Sequence, residues 1–356
     1  MNKKRSILSN HAFYLLIAII LGFLAGAIML LAVGVSPITA YGKLLESVFS
    51  RPKFIVWSMN YATPLILTGL AVAFSFKMGV FNIGAEGQFV VGSMAACAVG
   101  VLVDVPAVLH VPLCILAAIS AGAAWALIVA YLKIKRGINE VLSFIMFNWI
   151  AFYLSNFMVN LKVMHKVNNR EATKNVLDSA RIFFPENVRD ILGCSSANYG
   201  FILAIILAVI IWFILKKTTL GYTICAVGYN INAAKYCGIH TNRITLTAIG
   251  ISGGLAGLGG AVQLLGMTGR LSKFAGQEGF GFQGITVALI GASNPIGCIF
   301  SGLFYGAMKY GGSKLSLIDV PTEIVDIIMG MIILLIGVSY TLKSDFLKRV
   351  IKKEAE

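Results

Sequence analysis

Along the chain, long apolar runs alternate with short polar clusters. Because a helix rises about 1.5 Å per residue, roughly 20 apolar residues are needed to cross the hydrocarbon of a bilayer. Runs of that order lie near 12–35, 56–76, 84–103, 112–131, 141–161, 199–215, 244–265, 281–293, 296–311 and 322–341, the one at 281–293 being short. The pattern predicts an all-α polytopic membrane protein with about ten transmembrane helices. The first run is too long for the apolar core of a signal peptide and has no clear small-residue cleavage site, so it reads as a retained span.

The basic residues fix an orientation. Lys3, Lys4 and Arg5, then Lys133, Lys135 and Arg136, then Lys216 and Lys217, and finally Lys348, Arg349, Lys352 and Lys353 all fall on one side if ten spans are counted. The positive-inside rule makes that side cytoplasmic, along with both termini. The segment 162–198 is then external; its cations are partly balanced by Glu171, Asp178, Glu186 and Asp190. Composition agrees, with 58% of residues hydrophobic and only 12% charged, where a soluble domain has about a quarter charged. The net charge of +14 suits the anionic cytoplasmic surface of a membrane. No basic stripe interleaved with aromatics points to nucleic acid.

An internal echo organises the spans. Ile138-Asn139-Glu140-Val141-Leu142-Ser143-Phe144-Ile145-Met146 resembles Pro321-Thr322-Glu323-Ile324-Val325-Asp326-Ile327-Ile328-Met329. Each stretch opens the last helix of a four-span set, 56–161 and 244–341, and the two sets start on opposite sides. That is an inverted-topology repeat, an arrangement that presents a central pathway alternately to either face. The chain then divides into a cytoplasmic N-terminus at 1–11, a single transmembrane domain at 12–341 and a basic cytoplasmic tail at 342–356. Within the domain lie the external segment 162–198 and a cytoplasmic segment 216–243.

The chemistry excludes enzymes first. Gly306 and Gly311-Gly312-Ser313 lack the Lys of a phosphate-binding loop, so the chain does not hydrolyse ATP alone. No HExxH or GxSxG occurs, and the four histidines are scattered over termini and loops. The six cysteines form no CxxC pair and no metal-ligand spacing, and read as packing residues.

Polar residues at membrane depth are the remaining candidates. Phe81-Asn82-Ile83-Gly84-Ala85-Glu86-Gly87-Gln88 reads either as a broken helix facing a pathway or as a turn with Glu86 in a first helical turn. Its counterpart, Gly276-Gln277-Glu278-Gly279-Phe280-Gly281-Phe282-Gln283-Gly284, has irregular backbone of the kind tolerated where it lines a cavity or packs in protein. Phe81, Phe280 and Phe282 are candidates to stack on a flat ring, or to sit in the interfacial belt. Asn148 and Gln263 either glue helices together or touch cargo, and Lys309 snorkels along its own stem. The candidate pathway set is therefore Phe81, Asn82, Glu86, Asn148, Gln263, Phe282 and Gln283.

In the cytoplasmic segment, Asn230 caps and Gly238 closes a helix of about two turns, too short to stand alone in water. It must dock on its own spans or on a partner. With Gly79 to Gln88, and with Arg136-Gly137-Ile138-Asn139-Glu140-Val141 followed by Asn148, the stretch Gly228 to Ile239 carries a resemblance over about 55–341. The chain resembles the permease subunits of ABC importers of the ribose and branched-chain amino-acid type, and is most similar to the branch linked to nucleoside uptake. The resemblance implies a coupling helix at Asn230, Ala233, Ala234 and Gly238, seated in a cleft of an ATPase subunit. Cys225 and Ile231 depart from the Arg and Pro more often expected there.

It also implies the partners: an ATPase pair that binds ATP and Mg, a homologous permease, and an external binding protein or lipoprotein docking on loops that include 162–198. The setting is the bacterial plasma (inner) membrane, with lipid around the spans and no cofactor or metal in this chain. Two other readings are weighed against it: an ion-coupled secondary transporter with Glu86 or Glu140 as proton site, and an ABC permease for a sugar such as ribose. A scaffold that transports nothing is disfavoured by the glycine-broken polar segments.

Overall fold

The computed structural model describes residues 11–166, 169–321 and 323–338, and is helical along most of that length. The principal helices are α1 (His11–Ala32), α2 (Pro37–Phe49), α3 (Pro52–Lys77), α4 (Ala85–Leu102), α5 (Ala107–Arg136) and α6 (Glu140–Asn160). After the segment 162–198 come α8 (Gly200–Lys217), α9 (Thr219–Tyr229), α10 (Ile231–Tyr236), α11 (Thr241–Gln263), α12 (Phe280–Ile290) and α13 (Pro295–Gly312). A last helix, α14, covers 323–338. The segment 162–198 holds a two-residue strand β1 (His165–Lys166), its antiparallel partner β2 (Asn169–Thr173) and a short helix α7 (Glu186–Leu192).

Helix ends follow local chemistry. Asn139 starts α6 by accepting from the N–H groups of Val141 (2.8 Å) and Leu142 (3.3 Å), satisfying donors that no earlier turn can reach. Gly137 closes α5 in a left-handed cap at φ 64, just after Lys133, Lys135 and Arg136, cations that complement the negative end of the helix dipole. Inside α3, Pro64 supplies no N–H, and nearby hydroxyls turn to carbonyls: Thr63 donates to Met59 O at 2.8 Å and Thr68 to Pro64 O at 2.9 Å.

Two compact units share the chain. One runs Ile55–Gly306, and the other draws on the described residues up to Phe54 and from Ala307 onward. In the first, α4, α5 and α11 meet through glycines. A Cβ on Gly257 would lie 2.5 Å from Ala118 O, one on Gly92 2.3 Å from Gly257 Cα, and one on Gly122 2.4 Å from Gly253 O. Small residues let backbones approach where lipid supplies no hydrophobic drive between helices. In the second unit, Tyr41 donates to Phe23 O at 2.6 Å and stands edge-on to the Phe23 ring at 5.4 Å.

Seven helices among the described residues are long and apolar enough to cross a membrane: α1, α3, α4, α5, α6, α8, and α11 with its extension to Thr268. The chain is therefore a polytopic helical membrane protein, with fewer full-length apolar helices than the ten expected. The run at 281–293 forms the 11-residue α12, about 16 Å long and too short for the hydrocarbon. The run at 296–311 is the 18-residue α13, diluted by glycines and Lys309. Three helices went unforeseen: α2, which Pro37 opens, the short α7, and α9, which Thr218 caps by accepting from Gly221 N–H at 3.2 Å. The segment 216–243, expected on the cytoplasmic side, is thus mostly helical. Of the repeat motifs, 138–146 opens α6 and 321–329 opens α14, with Thr322 outside the described residues. Residues 1–10 of the expected N-terminus and the whole tail 342–356 also lie outside them.

Candidate translocation site

The segment 81–88 is knotted into the protein. The Asn82 and Gln88 amides pair face to face at 2.9 and 3.0 Å, and Asn82 also donates to Ser252 Oγ at 2.8 Å. Ser252 in turn donates to Ala71 O at 2.6 Å, so α3, α11 and the entry to α4 share one closed network. Asn148 on α6 accepts from Gly87 N–H at 2.8 Å and donates to Ile83 O at 3.0 Å. It serves as a second-hand cap for α4, whose own cap residue, Gly84, has no side chain to offer.

Glu86 joins the two glycine-broken segments. It has no exposed surface, and its Oε1 and Oε2 accept from Gly279 N–H at 2.8 Å and Gly281 N–H at 2.6 Å. Those donors open α12, so one carboxylate occupies the positive ends of both α4 and α12. The backbones nearly touch there, for a Cβ on Gly281 would sit 2.1 Å from Glu86 N. Around this junction Thr68 donates to Phe280 O at 3.1 Å and the Phe89 and Phe280 rings stack at 5.2 Å.

Of the pathway candidates, Asn82, Glu86 and Asn148 are at most 2% exposed and direct their polar atoms at protein, forming a clamp between helices. Phe280 is buried against Phe89. Phe81 is 38% exposed with one face on the Phe76 ring at 5.0 Å, and Phe282 is 37% exposed. Gln283 is half-buried one turn into α12.

Gln263 is different. It is 8% exposed, and its Oε1 is buried with no donor, a condition that native structures avoid unless the group has work to do. It lines a cavity of about 340 Å³ with Ser93, Thr268, Arg270, Phe274 and Glu278. The helix leaves α-geometry at this point, turning as a π-helix through Leu264–Thr268, a deviation found often at functional sites. The Gly266 carbonyl in that turn accepts from Asn198 Nδ2 at 3.1 Å, and the same Nδ2 donates to Asn60 Oδ1 at 3.1 Å.

The cavity wall is stitched to the segment 162–198. Thr173 N–H donates to Leu271 O at 2.8 Å, Val176 N–H to Gly269 O at 2.9 Å, and Lys273 N–H to Glu171 O at 2.7 Å. Asn156 grips Phe274 through both backbone groups, accepting from its N–H at 2.8 Å and donating to its carbonyl at 3.1 Å. His110, one of the histidines expected in a loop, is fully buried on α5 and bonds Ser179 Oγ at 2.7 Å. Sequence reasoning missed Asn60, Asn156, Asn198 and the 268–274 wall. Their only signal was a polar break, Gly266-Met267-Thr268-Gly269-Arg270, directly after an apolar run.

At the opposite candidate, Asn230 accepts from the N–H groups of Asn232 and Ala233, both at 3.0 Å, and Gly238 takes φ +82 after α10. Ala234 is buried at 4% exposure while Ala233 is open, so one of the two alanines faces outward. Tyr229 and Tyr236, at 91% and 94% exposure, flank it, an aromatic surface that a lone soluble face rarely leaves bare.

The model of a protein family described as "Branched-chain amino acid transport system / permease component" matches residues 54–337. The chain is 37% identical to the guanosine ABC transporter permease protein NupP of Bacillus subtilis, over 94% of this chain and 95% of that one. It is 35% identical to the nucleoside ABC transporter permease protein NupB of Lactococcus lactis, over 96% and 93%. It is 32% identical to the glucose ABC transporter permease protein TsgB13 of Haloferax volcanii, over 91% and 85%. No solved structure matches it. Carrying the family's pattern across the whole helical body, from the start of α3 to the end of α14, this chain belongs to the branched-chain amino acid transport system permease components, and is a membrane transport subunit, not an enzyme.

Proposed function

We propose that this permease subunit carries nucleosides into the cell. The observation that carries the reading is the pair of near-full-length relatives named for guanosine and for nucleosides. The cavity at Gln263 supports it, because an aromatic residue, Phe274, lines it together with the hydroxyl-bearing Ser93 and Thr268, a mixture suited to a flat base with a polar sugar. The relative named for glucose favours a sugar as the second reading. Membership of an ABC permease family removes the support for an ion-coupled carrier.

ABC permeases work with an ATPase subunit and a substrate-binding protein. In our reading the binding protein docks on the outer segment 162–198, whose backbone bonds to 269–273 let that contact reach the cavity wall. A second, homologous permease completes the passage. The ATPase, holding ATP and Mg, seats α10 through Asn230, Ala233 and Gly238, with Ala234 as its inner packing residue. The spans form ten crossings in an inverted repeat within a bacterial plasma (inner) membrane, both termini cytoplasmic, and α12 is the broken crossing of the second half.

The test is uptake of labelled nucleosides, ribose and glucose by cells producing the chain with its ATPase and binding protein. Nucleoside uptake is expected, falling at least about tenfold in Ala233→Arg at equal membrane abundance. That substitution sets a long cation on the exposed face of α10 and leaves the buried Ala234 alone. Uptake of glucose but not nucleosides would overturn the cargo, and full uptake in the variant would overturn the coupling role.

Orientation has its own test. Cys237 is exposed and Cys225 half-buried, while Cys97, Cys114, Cys194 and Cys298 are buried. In a Cys225→Ser background, a charged maleimide is expected to label Cys237 in inside-out vesicles and not in intact cells. Labelling of intact cells would reverse the topology.

A further inference from the structure

We infer that Gln263 is the residue of this subunit that reads the base of the cargo, and that the cavity beneath the 268–274 wall is a transient binding site for nucleosides whose base edge sets an N–H donor beside an acceptor. The inference rests on the nucleoside reading above and goes further, to a residue and to a chemical distinction among nucleosides.

Gln263 ends the regular part of α11 and its Oε1 is buried with no donor in the protein. That state contrasts with every other amide at membrane depth in this region. Asn82 and Gln88 bond each other, Asn148 bonds residues 83 and 87, and Asn156 bonds both backbone groups of Phe274. An amide used only as helix glue would be paired as these are, since leaving a buried carbonyl without a donor is costly. Gln263 lines the cavity, and a turn of its amide toward that space brings Oε1 to a donor carried by what enters.

The cavity has the size for it, since about 340 Å³ falls within the range of about 300–1,000 Å³ typical of small-molecule sites. A side-chain amide carries a carbonyl acceptor and an N–H donor on neighbouring atoms, which pairs in two-pronged fashion with a base edge of the complementary pattern. Adenine, guanine, cytosine and uracil each present such an edge. Unsubstituted purine presents ring acceptors alone. Phe274, its backbone held by Asn156 at both N–H and carbonyl, lines the same wall, and a site that pairs a polar edge rejects analogues lacking it far more strongly than one that only fits shape.

The experiment compares uptake of labelled adenosine and of labelled purine riboside, which differ only by the exocyclic amine. Cells carry the wild-type chain, Gln263→Leu or Gln263→Asn, with identical ATPase and binding protein, so that any selectivity change originates in this subunit. Gln263→Leu is expected to lower adenosine uptake about tenfold and leave purine riboside unchanged. Gln263→Asn, with its amide drawn back by one methylene, is expected to narrow the same ratio less and serves if the leucine variant fails to reach the membrane. An equal fall for both nucleosides, or an unchanged ratio in the variant that reaches the membrane, would overturn the inference. Absence of nucleoside uptake in the wild type would instead strike the cargo reading itself.

Discussion

Replacing Glu86 by alanine is expected to abolish transport and to lower the thermal stability of the solubilised protein. The carboxylate accepts from Gly279 N–H and Gly281 N–H at 2.8 and 2.6 Å in a site with no exposed surface. Hydrogen bonds to a charged group contribute about 1.5–3 kcal/mol each, so losing two removes about 3–6 kcal/mol and leaves two buried donors unpaired. That is a large fraction of the roughly 5–15 kcal/mol by which folded domains are stable. Glu86→Asp retracts the carboxylate from α12 and should give a smaller loss. Glu86→Gln turns an amide N–H toward one of the glycine donors and should behave nearly as badly as alanine.

The reading that places Glu86 in the pathway makes a different forecast. A cargo-contacting glutamate would change the KM for uptake in Glu86→Gln while the unfolding temperature stayed put. A clamp moves the unfolding temperature first. An alanine variant that unfolds at the wild-type temperature in lipid nanodiscs would end the clamp interpretation.

How far the sequence could be read follows from where each signal lies. Capping is local, so Asn230 and Gly238 were legible from their own neighbours. Helix length is nearly local, and the apolar runs located α3, α4, α5, α6, α8 and α11 to within a few residues. At α12 the run at 281–293 was already short, and the helix begins just before it at Phe280, where Gly279 and Gly281 meet Glu86. Pathway residues were hardest. Asn82, Asn148 and Gln263 look alike in sequence, each an uncharged polar group in an apolar setting. What separates them is whether a partner 61 to 195 residues away meets them, as Gly87 meets Asn148 and Gly281 meets Glu86, or whether none does, as at Gln263 Oε1. No window of sequence contains that information.

The same limit hid the glycines of α11, which leads to the second large effect: Gly257→Leu is expected to prevent folding of the Ile55–Gly306 unit altogether. Ser252-Gly253-Gly254-Leu255-Ala256-Gly257-Leu258-Gly259-Gly260 would be a poor helix in water, where each glycine costs about 1 kcal/mol against alanine. In the structure the deficit is offset by proximity. The Cβ of any residue at 257 would meet Ala118 O at 2.5 Å and Gly122 Cα at 3.1 Å, and Gly92 approaches from the other helix. These neighbours are backbone atoms, which cannot rotate aside as a side chain would. Even Gly257→Ala therefore forces α5 and α11 apart, and leucine exceeds the about 1–3 kcal/mol usual for overpacking a core. Gly250 is the internal control, because a Cβ there comes no closer than 3.4 Å, to the Leu127 side chain. Gly250→Ala should be neutral or slightly stabilising through helix propensity alone. The measurement is the yield of monodisperse protein on size exclusion together with its unfolding temperature. Equal behaviour of Gly250→Ala and Gly257→Ala would mean that the helices tolerate a wider separation, and that glycine serves α11 in some way other than close approach.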